Sequence, residues 1–416
     1  MPAHPMFSAE REQAEAWDRA DPLAAAYDAF VRPPGIYLDG NSLGPLPSGT
    51  AERVRMAIER EWGEGLIGSW NTAGWFQKPT TVGDRVGRLI GAAPGQVVVC
   101  DTISVNLFKL VCAVLHLRPG RRRIVTEAGN FPSDLYVMQG VQQAFPDLTV
   151  TLVEPGGVAA ALGPDVAATV LTEVDFRTGL RHDMAATTRA AHDAGALTIW
   201  DLAHSAGAFP VALDACDADF AVGCTYKYLN AGPGAPAFLY AARHWHDAAI
   251  HPLTGWIGHA DPFAFSLDYI PAPDIRRFLS GTPPILTIAA LEASLDVFET
   301  VDLFAVREKS VRLCELFIEL VDRLPAEYGL TVASPRVSAV RGSQVSLRHP
   351  NGLAIMRALI AAGVTGDFRA PDILRFGFTP LTLRYADVVD AVRVLDDVMA
   401  RGRWRADAGT RTGAVT

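Results

Sequence analysis

ALTIWDLAHSAGAFPVALDACDADFAVGCTYKYLNAGPGAPAFLY, residues 196–240, is the stretch on which the fold turns. It contains three short apolar runs, 196–201, 220–223 and 235–240, joined by connections rich in Gly, Ala and Pro. Runs that are apolar on both faces belong to strands covered on both sides, as in a mostly parallel sheet. The first run ends on Asp201 with His204 three residues beyond, and the second leads through Tyr226 into Lys227 and a glycine-rich turn. Open α/β sheets take their ligands outside the carboxyl ends of the strands, so these polar residues stand where chemistry is expected.

Working outward, further apolar runs at 97–100, 123–127, 148–153 and 168–173 alternate with helical stretches, which is the pattern of an α/β domain. After Pro283-Pro284 the pattern changes to amphipathic helices at 287–299 and 302–324, short strands near 343–348 and 373–378, and a helix over 385–401. That reads as a smaller α+β domain. The expected division is an N-terminal segment 1–35, a large domain 36–286, a small domain 287–405 and a mobile tail 406–416.

The net charge of −9 comes from 46 acidic and 37 basic residues spread along the chain, without the basic stripe that nucleic acid or an anionic membrane requires. The opening residues show no apolar core after a basic start, and no run of about 18 apolar residues occurs, so a cytoplasmic location is expected. The five cysteines are odd in number, share no CxxC spacing and sit mostly in apolar runs. They read as buried free thiols, with neither a disulfide framework nor a metal site.

Taken singly, Lys227 reads as an exposed strand-end lysine and Asp201 as a helix cap. Together they say more. A strand–Asp–x–x–His segment, with a lysine 26 residues on before a glycine-rich turn, resembles pyridoxal-5′-phosphate (PLP) enzymes of the aminotransferase-like fold, the class that includes kynureninases and cysteine desulfurases. In that chemistry a close-to-buried lysine captures the cofactor aldehyde and a carboxylate sustains the positive charge of the pyridine ring.

The segment DTISVNLFKLVCAVLHL after residue 100 reads as a turn and a helix whose first turn carries Ile103 and Ser104, a suitable cradle for a phosphate dianion. Ordinary capping is the plain alternative there. The motif AGNFPSDLYV is more distinctive, and Pro-Ser-Asp within it is also a helix start.

The resemblance to kynureninases runs from YLDGNSLGPLP near residue 37 through GLIGSWNTAGW, FPSD, WDLAHSAGAFP, TYKYLNAGPG and GWIGH to FLSGTPPIL, most of the chain up to residue 286. It implies hydrolytic Cβ–Cγ cleavage of kynurenine to anthranilate and alanine in tryptophan catabolism, in a homodimer with active sites at the subunit interface. It implies that Lys227, Tyr226 and Asp201 are catalytic. Ile103, Ser104, Phe131, Pro132, Ser133, Asp134, Thr172 and His204 join them around the cofactor, with Phe131 over its ring. Trp256 and Thr282 reach the site from the neighbouring subunit. Ser42 and Trp70 line the substrate pocket, and Trp70 with Thr282 favours kynurenine over 3-hydroxykynurenine. Ser104 departs from the usual threonine, and Glu173 and Asp175 make the surroundings of Thr172 more acidic than is common.

Beyond residue 300 the candidate for the substrate carboxylate is Arg375, inside the apolar segment DILRFGF, where a guanidinium needs an anion. A structural ion pair with Asp367 or Asp372 is the other reading, and Arg369 and Arg384 are the fallbacks. A class V PLP aminotransferase acting on a small amino acid, and a non-catalytic PLP-binding module, remain as alternatives. A cysteine desulfurase needs a reactive cysteine on a loop after the lysine. The sequence offers only Cys314, in the helical run VRLCELFIEL.

Overall fold

A computed structural model describes residues 7–407. Residues 1–6 of the expected N-terminal segment, and all but the first two residues of the expected tail 406–416, lie outside the described residues. In chain order the strands are β1 (Ile36–Tyr37), β2 (Val97–Val99), β3 (Arg123–Glu127), β4 (Thr149–Val153), β5 (Val166–Thr172), β6 (Leu197–Asp201) and β7 (Phe220–Gly223). They continue with β8 (Phe238–Ala241), β9 (Thr331–Val332), β10 (Gln344–Arg348), β11 (Val364–Thr365), β12 (Asp367–Arg369) and β13 (Ile373–Gly377).

The described residues form two compact units, one of residues 49–175 and 182–295, the other of residues 7–48, 176–181 and 296–407. The first unit is built on a sheet of order β2-β8-β7-β6-β5-β3-β4. The β3–β4, β3–β5, β5–β6 and β6–β7 pairings are parallel, while β8 is antiparallel to both β7 and β2. Two reversals in series restore direction, so the carboxyl end of β2 lies at the same edge as those of β3, β5, β6 and β7. Every residue of β5 and β6 is buried, as expected of central strands covered on both faces. Strand β8 starts at Phe238 rather than 235. Pro236 has no N–H to extend the ladder, and its carbonyl instead accepts from Thr225 Oγ1 at 2.6 Å.

The second unit contains a four-stranded sheet of order β12-β13-β10-β9 and the parallel pair β1–β11. Helices Leu303–Asp322 and Tyr385–Ala400 contribute Leu313, Phe317, Val388 and Leu395 to one core with Val345, Leu374 and Phe376. The compact units cut the chain differently from the expected domain limits. Residues 36–48 lie in the unit with the C-terminal strands because β1 hydrogen bonds alongside β11 and Asp39 bridges to Gly377. Residues 287–295 lie in the sheet-bearing unit, within helix Ile285–Phe298. The cysteines are free, and Cys216 departs from the expectation in being only half-buried. Among the described residues no helix is long and apolar enough to cross a membrane.

Candidate active site

Asp201 is the last residue of β6 and is buried, paired in register with Thr172 on β5 and Val222 on β7. No helix follows it. Its Oδ1 accepts from the Ala203 N–H at 2.8 Å in a turn, so the helix-cap reading does not hold. Its carboxyl meets that of Asp134, in the first turn of helix Pro132–Ala144.

Asp134 is 1% exposed, and its Oδ2 finds no N–H or O–H partner among the described residues. Two carboxyls in contact require a shared proton. Burial, reinforced by the charge of Asp201, raises Asp134 well above the carboxylate range, so Asp134 carries it. Burial also pushes Asp201 up, to about 6, while the positive charge of Lys227 pulls it down. A buried acidic pair short of a donor suits a ring N–H or pyridinium, and the residues present therefore fit PLP.

Lys227 follows β7 in a bend and is half-buried, not close to buried, with Tyr228, Leu229 and Asn230 beyond it buried. Its Nζ lies 5.8 Å from the centroid of the Phe131 ring and 5.9 Å from that of Tyr226. Burial, and next the neighbouring Cys224, raise the Tyr226 phenol above its ordinary value, which keeps it a proton donor. His204 is buried two residues beyond Leu202, whose N–H bonds the Val222 carbonyl. Ile103 and Ser104 open helix Ile103–Leu117 at the same sheet edge. The cap is Thr102, whose Oγ1 accepts from the Val105 N–H at 3.3 Å. Capping and a phosphate cradle are compatible there, since one hydroxyl leaves other first-turn N–H groups available.

Asn130 went unremarked in the sequence, yet it ties this edge together. Its Nδ2 donates to Thr126 Oγ1 at 3.1 Å, and its Oδ1 accepts from the Phe131 N–H at 2.7 Å and from the Thr172 hydroxyl. One buried amide thus joins the end of β3 and the end of β5 to the start of the helix bearing Phe131, Pro132, Ser133 and Asp134. An asparagine after Gly129 reads as turn chemistry, which is why the sequence hid it.

The segments GWIGH and FLSGTPPIL, far apart in sequence, meet backbone to backbone. A Cβ on Gly255 would lie 2.1 Å from the Ser280 carbonyl oxygen, and one on Gly258 would lie 2.3 Å from that of Leu279. Trp256 and Thr282 are both exposed. The Trp70 ring makes edge contact with Trp256 at 5.6 Å between centroids, and Phe263 lies 6.2 Å from Trp256.

In the other unit, Arg375 on β13 faces Asp367 on β12 directly across the ladder. It holds both carboxylate oxygens, with Nε at 2.8 Å from Oδ1 and Nη2 on Oδ2. Nη2 also donates to Ser42 Oγ at 2.8 Å, Nη1 donates to the Phe176 carbonyl at 2.9 Å, and Ser42 donates to Asp367 Oδ2 at 2.9 Å. Of the two ion-pair partners considered for Arg375, Asp367 is the one in place. Asp372 pairs with Arg348. Arg369 shares Asp367, while Arg384 is taken up by Asp387.

Residues 306–395 match the family model described as the kynureninase C-terminal domain. A kynureninase of Burkholderia pseudomallei (strain 1106a) is 50% identical over 413 residues, 98% of this chain and 99% of the relative. One from Pseudomonas fluorescens is 48% identical over 404 residues, 95% of this chain and 96% of the relative. Among solved structures, an apo cysteine desulfurase from Thermococcus onnurineus NA1 superposes with a TM-score of 0.75 at 20% identity, over 88% of this chain and 95% of that one. A cysteine desulfurase from Escherichia coli gives 0.75 at 18% identity, over 91% and 98%. At those identities the likeness shows the fold alone, which is the aminotransferase-like α/β fold expected from the sequence. With half of its residues identical to a curated kynureninase along nearly the whole of both chains, the chain belongs to the kynureninase family.

Proposed function

We propose that the protein is a PLP-dependent kynureninase, in which water and kynurenine give anthranilate and alanine by cleavage of the Cβ–Cγ bond. The observation that carries this reading is the buried Asp134–Asp201 pair beside Lys227, in a chain half identical to a kynureninase. Bound PLP supplies an aldehyde that captures the substrate amine and a protonated ring that withdraws electrons from its α-carbon.

Asp201 holds the ring N–H as the charged acceptor, and Asp134 supports it from the helix start. Lys227 Nζ takes the α-proton and returns it, and its half-buried place leaves it room to move. The Tyr226 hydroxyl, held protonated by burial, would donate to the cofactor phosphate and pass a proton to the Cβ that remains on the alanine fragment once anthranilate has left. Ile103 and Ser104 offer first-turn donors to the same phosphate, and Phe131, fixed by Asn130, covers one face of the ring. The substrate α-carboxylate is assigned to the Ser42–Asp367–Arg375 cluster.

The same reading includes a homodimer whose neighbouring subunit lends Trp256 and Thr282. Trp70, in edge contact with Trp256 of its own chain, lines the substrate pocket, and with the neighbouring subunit's Thr282 it selects kynurenine over 3-hydroxykynurenine. Trp70 offers a ring hydroxyl no acceptor, and an unpaired polar group costs about 1–3 kcal/mol.

A desulfurase is disfavoured by Cys314, which is buried on helix Leu303–Asp322 with its thiol pushed up to about 11 by burial. Lys227→Ala tests the reading. The variant should keep the melting behaviour of the wild type while losing both the borohydride-sensitive cofactor absorption and anthranilate release. A variant that still releases anthranilate at the wild-type rate would remove Lys227 from the mechanism and the reading with it.

A further inference from the structure

Trp70 touches two other indoles, Trp256 and Trp75, the second edge-on at 6.2 Å between centroids. It sits on the short helix Ser69–Thr72, which closes in a turn where the Ala73 and Trp75 N–H groups donate to the Ser69 carbonyl at 3.1 and 3.4 Å. A single turn of helix does not hold its shape unaided, so whatever fixes the Trp70 ring comes from outside it.

That support is Glu61. Its peptide carbonyl accepts from Ser69 Oγ at 2.5 Å, and its Oε2 accepts from Trp75 Nε1 at 2.8 Å. One residue therefore grips both ends of the segment 69–75, with Trp70 between them. Gly65 keeps the first grip open, since a Cβ there would lie 2.1 Å from Ser69 Oγ.

Glu61 is fixed in turn by charge. Its Oε1 meets Arg53 Nη2 at 2.8 Å, the same Nη2 lies 2.6 Å from Glu292 Oε2, and Lys78 Nζ lies 2.6 Å from Glu292 Oε1. Two cations and two carboxylates balance, and none of the four side chains is more than 21% exposed, so salt screens them weakly. In a continuous α-helix residues 53 and 61 would stand about 80° apart around the axis. Helix Thr50–Met56 instead runs on as a π-helix, Ala57–Glu64, where the Gly65 N–H donates to the Arg60 carbonyl five residues back at 2.9 Å. The wider turn rotates less per residue and brings Glu61 back toward Arg53, and such turns recur where a helix serves a site.

We infer that Glu61 is a positioning residue for the substrate ring: by holding Ser69 and Trp75 it sets the plane of Trp70, and with it the preference for kynurenine over 3-hydroxykynurenine. This rests on the kynureninase reading and on the place that reading gives Trp70 in the substrate pocket. An apolar ring rejects an added hydroxyl only while it is held too firmly to admit water beside that hydroxyl.

The test uses the PLP-loaded protein as wild type, Trp75→Phe, Glu61→Gln, Glu61→Ala, Trp70→His and the double variant Glu61→Ala with Trp70→His, with melting temperature as the check on folding. Trp75→Phe removes the N–H and keeps a ring, while Glu61→Gln keeps an acceptor for that N–H. The kcat/KM ratio of kynurenine to 3-hydroxykynurenine should fall about three- to tenfold in Trp75→Phe and Glu61→Ala, and by less in Glu61→Gln. The fall should lie in the KM for kynurenine. Inhibition by L-alanine, which has no aromatic ring, should stay within about twofold of wild type. Removing Glu61 in the Trp70→His background should move the ratio no further.

An unchanged ratio in folded Trp75→Phe and Glu61→Ala overturns the inference, and so does an equal weakening of both substrates and alanine, the mark of a general loss of structure. If Glu61→Ala does not fold, Trp75→Phe decides by the same criterion. A ratio that moves with Trp70→His but not with Trp75→Phe sinks the inference alone. A Trp70→His protein with the wild-type ratio would sink the specificity reading of Trp70, and a wild type that releases no anthranilate would sink the kynureninase reading, each taking the inference with it.

Discussion

Two buried acidic clusters, one in each unit, decide the chemistry at the scale of single residues. The strand-end Asp201 meets the carboxyl of Asp134 and accepts from the Ala203 N–H in a turn, so it does not cap a helix. Asp39 gives a test in pH. Its carboxyl, faced by Asp367, Arg375 and Arg369, is raised to about 7 with burial as the main cause. Between the ordinary carboxylate value and about 7 the folded protein holds a proton that the unfolded chain has released, so this group's contribution to stability falls as pH rises through that window. The stability of Asp39→Asn relative to wild type should therefore rise from about pH 4 to about pH 7. A difference between the two that does not change across that window would show that Asp39 is not held neutral in the fold. Lys227 and Asp201 were singled out in the sequence by their spacing after two strands, and Asp134 only by the likeness of FPSD to the family's motif; the contact between the two aspartates was not legible there. The Asp367–Arg375 pair was named only as an alternative, because seeing it requires the register of β12, a strand of three residues with no readable period.

At the scale of elements, the long buried strands β3, β5 and β6 and the helices Leu303–Asp322 and Tyr385–Ala400 fall within a few residues of where periodicity puts them. The two-residue strands β1, β9 and β11 do not, because two residues carry no alternation. The contact between GWIGH and FLSGTPPIL was equally hidden, since both segments read as loop and their backbones approach closely. Gly255 is the joint. A Cβ there would press on Ser280 O, C and Cα at 2.1, 2.5 and 2.8 Å, backbone atoms that no rotamer can move aside. Gly255→Ala should cost about 1–3 kcal/mol of stability, as overpacking does. It should also displace Trp256 from Thr282, so PLP affinity and kcat/KM for kynurenine fall together, as equilibrium dialysis and initial rates would show. A variant with wild-type melting, cofactor affinity and rate would mean that the joint does not position these residues.

On the scale of the whole molecule, Lys227, Tyr226, Asp201, Asp134, Ile103 and Ser104 belong to one compact unit, and Ser42, Asp367 and Arg375 to the other. Composition carried nothing about the fate of the substrate carbanion, which the shared PLP apparatus does not fix. Transamination and hydrolysis differ in one respect that products reveal. Transamination needs a 2-oxo acid to regenerate the cofactor, and hydrolysis needs only water. The decisive measurement is incubation of the PLP-loaded protein with kynurenine, 2-oxo acid omitted, while anthranilate fluorescence and free alanine are followed over many turnovers. Anthranilate and alanine released in equal amounts, at a rate unaffected by later addition of 2-oxo acid, is the result expected; anthranilate that appears only after the oxo acid is supplied, or not at all, would contradict it.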